Sequence, residues 1–399
     1  MKRIFLVVVV VAVVVSISVV KYGGDRLHRA PDKFDERSIL HMLLEIETPR
    51  EMAEKFVRPG WMYYRPLGLA SLWLDRQISS RPRDGSMAEL TASETAYRFR
   101  CTDLAWHIVG ALAFGWMLAV LLASPLAGGI GAILYAAAPA NGFTAGWFAA
   151  RFDLISAPAI CATVACFFLH LRAEGKRSRW WLAGSAAAMM IGLMSKENTL
   201  VAPAFISLAV ILLSGQQGWS WRKAVTGVVG IWGIAVAYIA LRAVMIPGFM
   251  DPGAGAMVGT EAFWRLTARM YLAPIEWLIV TAKAYAGSDA WILLNPGFWG
   301  DITKLVAVTA SAVVFRHRWQ LALVLWAWVL VFYLPVAPIY SYNRFPHYLA
   351  LPSAGYSALA ALIGACWLTW LYERWPIWQP RLALWATPRL SRPARAPSR

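Results

Sequence analysis

The sequence predicts an all-α membrane protein with about ten transmembrane helices. Three observations carry this. Of the 399 residues, 59% are hydrophobic and only 15% charged, against roughly 25% charged in an ordinary soluble domain. Mean hydropathy is +0.52. The apolar residues stand in continuous blocks rather than alternating, and a helix needs about 20 of them to cross a ~30 Å hydrocarbon core. Only helices and closed barrels satisfy their backbone in lipid, and continuous blocks select helices. Several of the 22 tryptophans lie near block ends, where interfacial belts place them.

The elements follow in order. Lys2 and Arg3 precede an apolar run over 5–20, followed by Lys21-Tyr22-Gly23-Gly24 rather than an A-x-A site. It is read as a retained first span with its N-terminus inside. A polar stretch over 21–102 holds much of the acid and reads as a large first extracytoplasmic loop containing amphipathic helices. Further spans are expected at about 103–123, 127–145, 154–171, 180–195, 199–215, 224–246, 303–315, 320–339 and 349–372. Over 262–300, Glu276, Lys283 and Asp289 interrupt the apolar character, and that segment is read as re-entrant or interfacial. The division is thus a membrane domain over 1–373 and a basic, Pro-rich cytoplasmic tail over 374–399.

Charge supports the topology. The net charge of +16 comes from 38 Lys and Arg against 22 Asp and Glu. With the N-terminus inside, the connector 172–179, Arg222-Lys223, Arg316-His317-Arg318 and the tail arginines all fall in the cytoplasm, as the positive-inside rule requires. This distribution, with no basic-aromatic stripe in a soluble segment, excludes nucleic acid as a partner. No Walker or dinucleotide fingerprint occurs, so nucleotide-driven transport has no support. The four cysteines show no metal-ligand spacing, so neither a metal site nor a disulfide framework is read from them.

Ionisable groups in or beside spans are costly, and each is a functional candidate by default. Here they gather at connectors assigned to the outer face. The first loop carries Phe34-Asp35-Glu36-Arg37 and Tyr63-Tyr64-Arg65-Pro66-Leu67. Arg151-Phe152-Asp153-Leu154 joins two spans, and Ser195-Lys196-Glu197-Asn198 ends another. The last outer loop holds Tyr342-Asn343-Arg344-Phe345-Pro346-His347-Tyr348 and runs into Leu351-Pro352-Ser353-Ala354-Gly355. Each also has a plain structural reading. Asp35-Glu36 suits a solvated loop helix, Lys196-Glu197 a snorkelling helix end, Arg151 and Asp153 an ion pair, Tyr64-Arg65-Pro66 a turn, and His107 helix packing.

In this order the segments resemble the integral-membrane glycosyltransferases of the GT-C superfamily. The likeness is in particular to the membrane domain of transmembrane TPR-containing O-mannosyltransferases and their bacterial relatives. Phe34-Asp35-Glu36 is similar to that family's acidic pair after the first span. Tyr64-Arg65-Pro66-Leu67, Arg151-Phe152-Asp153-Leu154, Ser195-Lys196-Glu197 and Leu351-Pro352-Ser353-Ala354-Gly355 resemble its Y-R-P-L, R-x-D-L, S-K-E and L-P-S-x-G stretches. Of its H-x-x-N-x-x-x-H, His107 is kept while Gly110 and Phe114 replace the others; His347 stands where it has an arginine, with Arg344 nearby. No TPR repeat is read in this sequence, so nothing about a protein acceptor carries over.

The resemblance implies a GT-C-like fold and a polyprenyl-phosphate-linked sugar as donor. The acceptor is extracytoplasmic: a glycan, glycolipid or protein. Asp35 would be the base, with Glu36 orienting it or holding a divalent cation, and Arg344, Lys196 and Arg65 would bind the donor phosphate. Tyr64, Arg151, Asp153, Glu197, His107 and His347 are further site candidates. One carboxylate without an evident nucleophile implies inversion by single displacement. A multi-pass enzyme of a bacterial inner membrane is expected, its site facing the periplasm. The rival readings are a lipid-linked-sugar transporter, for which no pseudo-repeated halves are detected, and a polysaccharide polymerase or ligase, which usually carries a large late loop rather than a large first one.

Overall fold

The computed structural model describes residues 2–24, 34–57, 64–79, 93–138, 141, 144–246, 319–333 and 350–374. The elements it describes are helical. α1 is Lys2–Tyr22, α2 Phe34–Leu44, α3 Pro49–Glu54 and α4 Pro66–Ile78. α5 is Ser93–Leu121, α6 Pro125–Ala137, α7 Arg151–Arg172 and α8 Gly175–Leu193. α9 is Ala202–Gln217 and α10 Trp221–Met245; α11 is Trp319–Tyr333 and α12 Ala350–Arg374. Short 3₁₀ helices, Phe148–Ala150 and Glu197–Val201, lead into α7 and α9.

By length and composition, five helices among the described residues can cross a membrane: Glu94–Leu121, Phe148–Arg172, Glu197–Gly215, Trp221–Met245 and Ala350–Leu371. Val7–Tyr22, Pro125–Ala137 and Trp319–Tyr333 are shorter apolar helices. Every expected span within the described residues is helical, with altered bounds. The helix expected over 103–123 begins at Ser93, because its first turns are polar yet still helical. That expected over 127–145 ends at Ala137, because Pro139 disfavours the α conformation at Ala138. The span expected at 303–315, the segment over 262–300 read as re-entrant or interfacial, and the tail from 375 lie outside the described residues.

α7 is the centre, buried along nearly all of its length. It packs between α5 and α8, and Ser185 of α8 donates to the Thr163 carbonyl at 2.8 Å. α5 and α6 cross closely enough to require small residues. A Cβ on Gly128 would stand 2.5 Å from the Gly115 carbonyl oxygen. The end of α1 caps the end of α6: Tyr22 donates to the carbonyls of Ala136 and Ala138 at 3.2 and 3.1 Å, and Lys21 to that of Ala137. A cation is favoured where a helix leaves its last carbonyls unsatisfied. α10 shows how the bundle meets its surroundings. Ala224, Gly227, Ile231, Ala235, Tyr238 and Arg242 form its inward stripe, while Val229, Val236 and Val244 are 61–80% exposed. An outward face of valine is what lipid accepts and water does not.

The stretch expected as a loop with amphipathic helices contains α2, α3 and α4. They share a second apolar core, in which Ile39, Leu40, Leu43, Met52, Leu69 and Leu72 pack on Phe99, Phe148 and Phe152. α3 is started by a capping box between Thr48 and Glu51. Buried Arg76 of α4 donates to the Leu43 and Ile46 carbonyls at 2.7 and 3.2 Å, closing the end of α2. Gly68 lets α4 lie directly on α7, since a Cβ there would stand 2.1 Å from Phe152 Cδ1. The loop helices are therefore fixed to the start of α7, and the site is built at that junction.

Candidate functional site

Two charged networks meet where α4, α5, α7 and the 3₁₀ helix before α9 come together. The first centres on Arg151, the first residue of α7, which is fully buried. Its Nη1 donates to Asp75 Oδ2 and to Ser71 Oγ, both at 2.9 Å, and its Nη2 to the Phe99 carbonyl at 2.6 Å. Its Nε donates to Asp103 Oδ1. Thr102 Oγ1 adds a 2.8 Å bond to the other oxygen of Asp75. One guanidinium thus joins α4, α5 and α7. Burial pushes the Asp75 carboxyl above the ordinary carboxylate range, against the lowering pull of Arg151 and the Thr102 bond.

The second network lies two residues along α7. Lys196 Nζ donates to both oxygens of Asp153, at 2.6 and 2.5 Å. Neighbouring Glu197 is gripped by Arg65, whose Nε donates to Oε2 at 3.0 Å and whose Nη2 donates to Oε1. The Arg65 guanidinium also lies 5.4 Å over the Phe152 ring. Arg65 is the residue before Pro66, which opens α4, and the Leu67 amide donates to the Met194 carbonyl at 3.1 Å. The start of α4 is therefore docked on the end of α8. Arg242, from the inner stripe of α10, approaches Glu197 Oε2 at 3.8 Å. One turn before it, Tyr238 donates to the Tyr64 carbonyl at 3.3 Å. Tyr64 itself donates to the Phe56 carbonyl at 2.9 Å, and burial raises its phenol.

Of the residues singled out in the sequence, Arg65, Arg151, Asp153, Lys196 and Glu197 are thus brought together, with Tyr64 beside them. Arg151 and Asp153 do not form an ion pair with each other. Residues two apart on a helix point to different sides, and each takes its own partner. Lys196 and Glu197 are not snorkelling ends but buried or half-buried halves of two ion pairs. His107 is placed elsewhere, edge-on to Tyr22 at 5.1 Å and stacked near Tyr135 at 6.2 Å, in the packing of α1, α5 and α6. Asp35 and Glu36 lie in the first turn of α2. Arg344 and His347 lie outside the described residues. Among the described residues, no group of three or more His, Cys, Asp or Glu could hold a metal ion.

Three participants were missed: Asp75, Asp103 and Arg242. Asp103 and Arg242 are ionisable residues at or within expected spans, so the cost of charge in lipid was itself the signal. Asp75 sits in Leu74-Asp75-Arg76 within the apolar rhythm of α4, and nothing short of the fold reveals its partner.

No protein-family model and no curated protein sequence matches the chain. Its fold is similar to that of an archaeal oligosaccharyltransferase. The likeness is to crystal structures of the oligosaccharyltransferase of Archaeoglobus fulgidus. The form tethered to an acceptor peptide containing the NVT sequon matches with a TM-score of 0.55 and 14% identity, over 96% of this chain and 52% of that one. The apo form matches with 0.55 and 13%, over 98% and 53%. The complex with Zn and sulfate matches with 0.51 and 14%, over 94% and 50%. The chain therefore spans about half the length of these structures.

Proposed function

We propose that the protein is an inverting membrane glycosyltransferase that moves a sugar from a polyprenyl-phosphate-linked donor to an extracytoplasmic glycan, glycolipid or protein. The observation that carries this is the junction itself. Three segments that resemble GT-C motifs, at 64–67, 151–154 and 195–197, lie far apart in the sequence yet share one cluster of ion pairs, in a chain whose fold is GT-C-like. Chance likeness of short motifs gives no reason for their side chains to meet.

The chemistry follows from the residues. The acceptor hydroxyl oxygen attacks the anomeric carbon, the bond to the phosphate oxygen breaks, and the hydroxyl proton passes to Asp35, with Glu36 orienting that carboxylate or holding a divalent cation. The departing phosphate gathers negative charge, which fixed cations stabilise more in the transition state than in the ground state. Lys196 and Arg65 supply that charge from the carboxylates they hold, and Arg344 from the last outer loop. The donor's tail stays in the bilayer. In this reading α2–α4 lie on the outer face, facing a bacterial periplasm, and the tail over 374–399 is cytoplasmic. The finer likeness, to the membrane domain of O-mannosyltransferases without TPR repeats, belongs to the same proposal.

The test is Asp35→Asn, which removes a base with almost no change in volume. Transfer to membranes lacking the native protein should fall about 10²–10⁴-fold, the usual worth of general-base help, while Asp32→Asn stays near wild type. Near-normal transfer by Asp35→Asn would remove Asp35 from the mechanism.

A further inference from the structure

We propose that the end of the bundle where α7 turns into α8 and α10 begins is a docking surface for anionic phospholipid headgroups. The first observation is charge. Over 172–179 and 222–223 stand six Lys and Arg against one acid, Glu174. Of the six, Lys176, Arg177, Arg179 and Arg222 are exposed. They lie in or next to the first turns of α8 and α10, which hold no acidic residue and have no side-chain cap. The start of a helix favours anions, and cations placed there add to its positive end instead of offsetting it. Both starts are fastened to the end of α7. Lys223 donates to the Leu171 carbonyl at 3.3 Å and to that of Ala173, and so caps α7 with the start of α10. In the first turn of α8, Ser178 Oγ is bonded to His170 Nδ1 at 2.8 Å. Arg172 donates to the Val120 carbonyl at the end of α5. Lys223 and Arg172 thus hold the fold together, and the four exposed cations surround them.

The second observation is where this charge meets tryptophan. Trp180 follows Arg179 and is 76% exposed; Trp221 precedes Arg222 and is 55% exposed. Tryptophan is well buried on average in proteins, and the headgroup level of a membrane is where its indole is instead left out. Trp181 lies 6.5 Å from Trp116 of α5, which carries the same aromatic level across the bundle. The surface then continues as hydrocarbon. Val225 and Val229 follow Trp221 at intervals of four, on one face of α10, and both are exposed. A rim of cations and indoles above a lipid-facing stripe of valine has the layering of a phospholipid: phosphate, glycerol, acyl chain. That continuity selects a lipid headgroup over a soluble acidic partner, which would meet the cations only. Each Lys or Arg close to an anionic membrane surface strengthens the attraction about fivefold.

The experiment counts retained lipid. Full-length protein in detergent micelles is mixed with equal amounts of phosphatidylglycerol and phosphatidylcholine, and the lipids it keeps are counted by native mass spectrometry. Wild type should favour phosphatidylglycerol about tenfold or more, and the preference should fade as added salt screens the cations. Arg222→Gln should lower it about fivefold. The variant with Lys176, Arg177, Arg179 and Arg222 all changed to Gln should show no preference. Because these side chains are exposed, its unfolding temperature in zwitterionic micelles should match that of wild type, which separates lost lipid from lost fold. Arg50→Gln, a cation on α3 with its side chain 90% exposed, should keep the wild-type preference. A wild type that takes both lipids equally would overturn the inference. So would a fourfold variant that still favours phosphatidylglycerol as wild type does. Should the fourfold variant unfold early, Arg222→Gln decides alone, and a preference it leaves unchanged overturns the inference.

Discussion

Replacing Arg151 with methionine removes the cation that, among the described residues, is paired with both Asp75 and Asp103. Arg151 and the Asp103 side chain are both 0% exposed, and the Asp75 side chain is 10% exposed. The change strips bonds to two carboxylates, the Ser71 hydroxyl and the Phe99 carbonyl at once. Removing one partner of a buried ion pair costs about 3–5 kcal/mol, because an uncompensated charge is left behind. Two carboxylates left side by side place Arg151→Met at the upper end. Adding Asp75→Asn and Asp103→Asn should restore most of the loss, since exchanging a whole buried ionic group for neutral residues is often close to neutral. Acid should act in the same direction. An aspartate with a raised folded-state value holds its proton more tightly in the folded protein. The folded state is therefore favoured as pH falls through that raised value toward the ordinary aspartate value of about 4. Asp75 is raised even with Arg151 present. Without it the window widens, and the Arg151→Met deficit should shrink on acidification. Thermal unfolding of the single and triple variants in detergent micelles, at neutral and mildly acidic pH, reads all of this. A single variant as stable as wild type, or a triple variant no better than the single, would refute the view of Arg151 as the neutralising centre of a buried triad.

Gly68→Ala should destabilise the protein by about 1–3 kcal/mol, as overpacking does, because its Cβ would stand 2.1 Å from the Phe152 ring; thermal unfolding against the wild type checks it. Single cysteines at Lys176 and Glu54, both exposed, should label from opposite sides of sealed vesicles if the first loop is outside and the α7–α8 connector inside.

The fold was legible wherever the signal was apolar length, as at α7, α9, α10 and α12. It was misread where a helix ran on through polar turns. Glu94, Arg98, Arg100 and Asp103 hid the first turns of α5, although they lie on a continuous helix. Reading through Pro139 and Gly142 lengthened α6 past its true end at Ala137. The site was legible as a set of residue types at connectors. Its pairing was not, because pairing depends on which helices touch. Arg65 and Glu197 are 132 positions apart, and no spacing rule joins them. Asp103 and Arg242 stand within expected spans, where the cost of charge in lipid already marks them, but their partners lie on other helices.

The most direct test of the account is transfer itself. Purified protein in proteoliposomes is given synthetic polyprenyl-phosphate hexoses and pentoses beside the matching nucleotide sugars, with membranes from cells lacking the protein as acceptor. Transfer is expected from a lipid-phosphate sugar, with none from nucleotide sugars. Turnover of a nucleotide sugar alone, in detergent free of any lipid carrier, would contradict it.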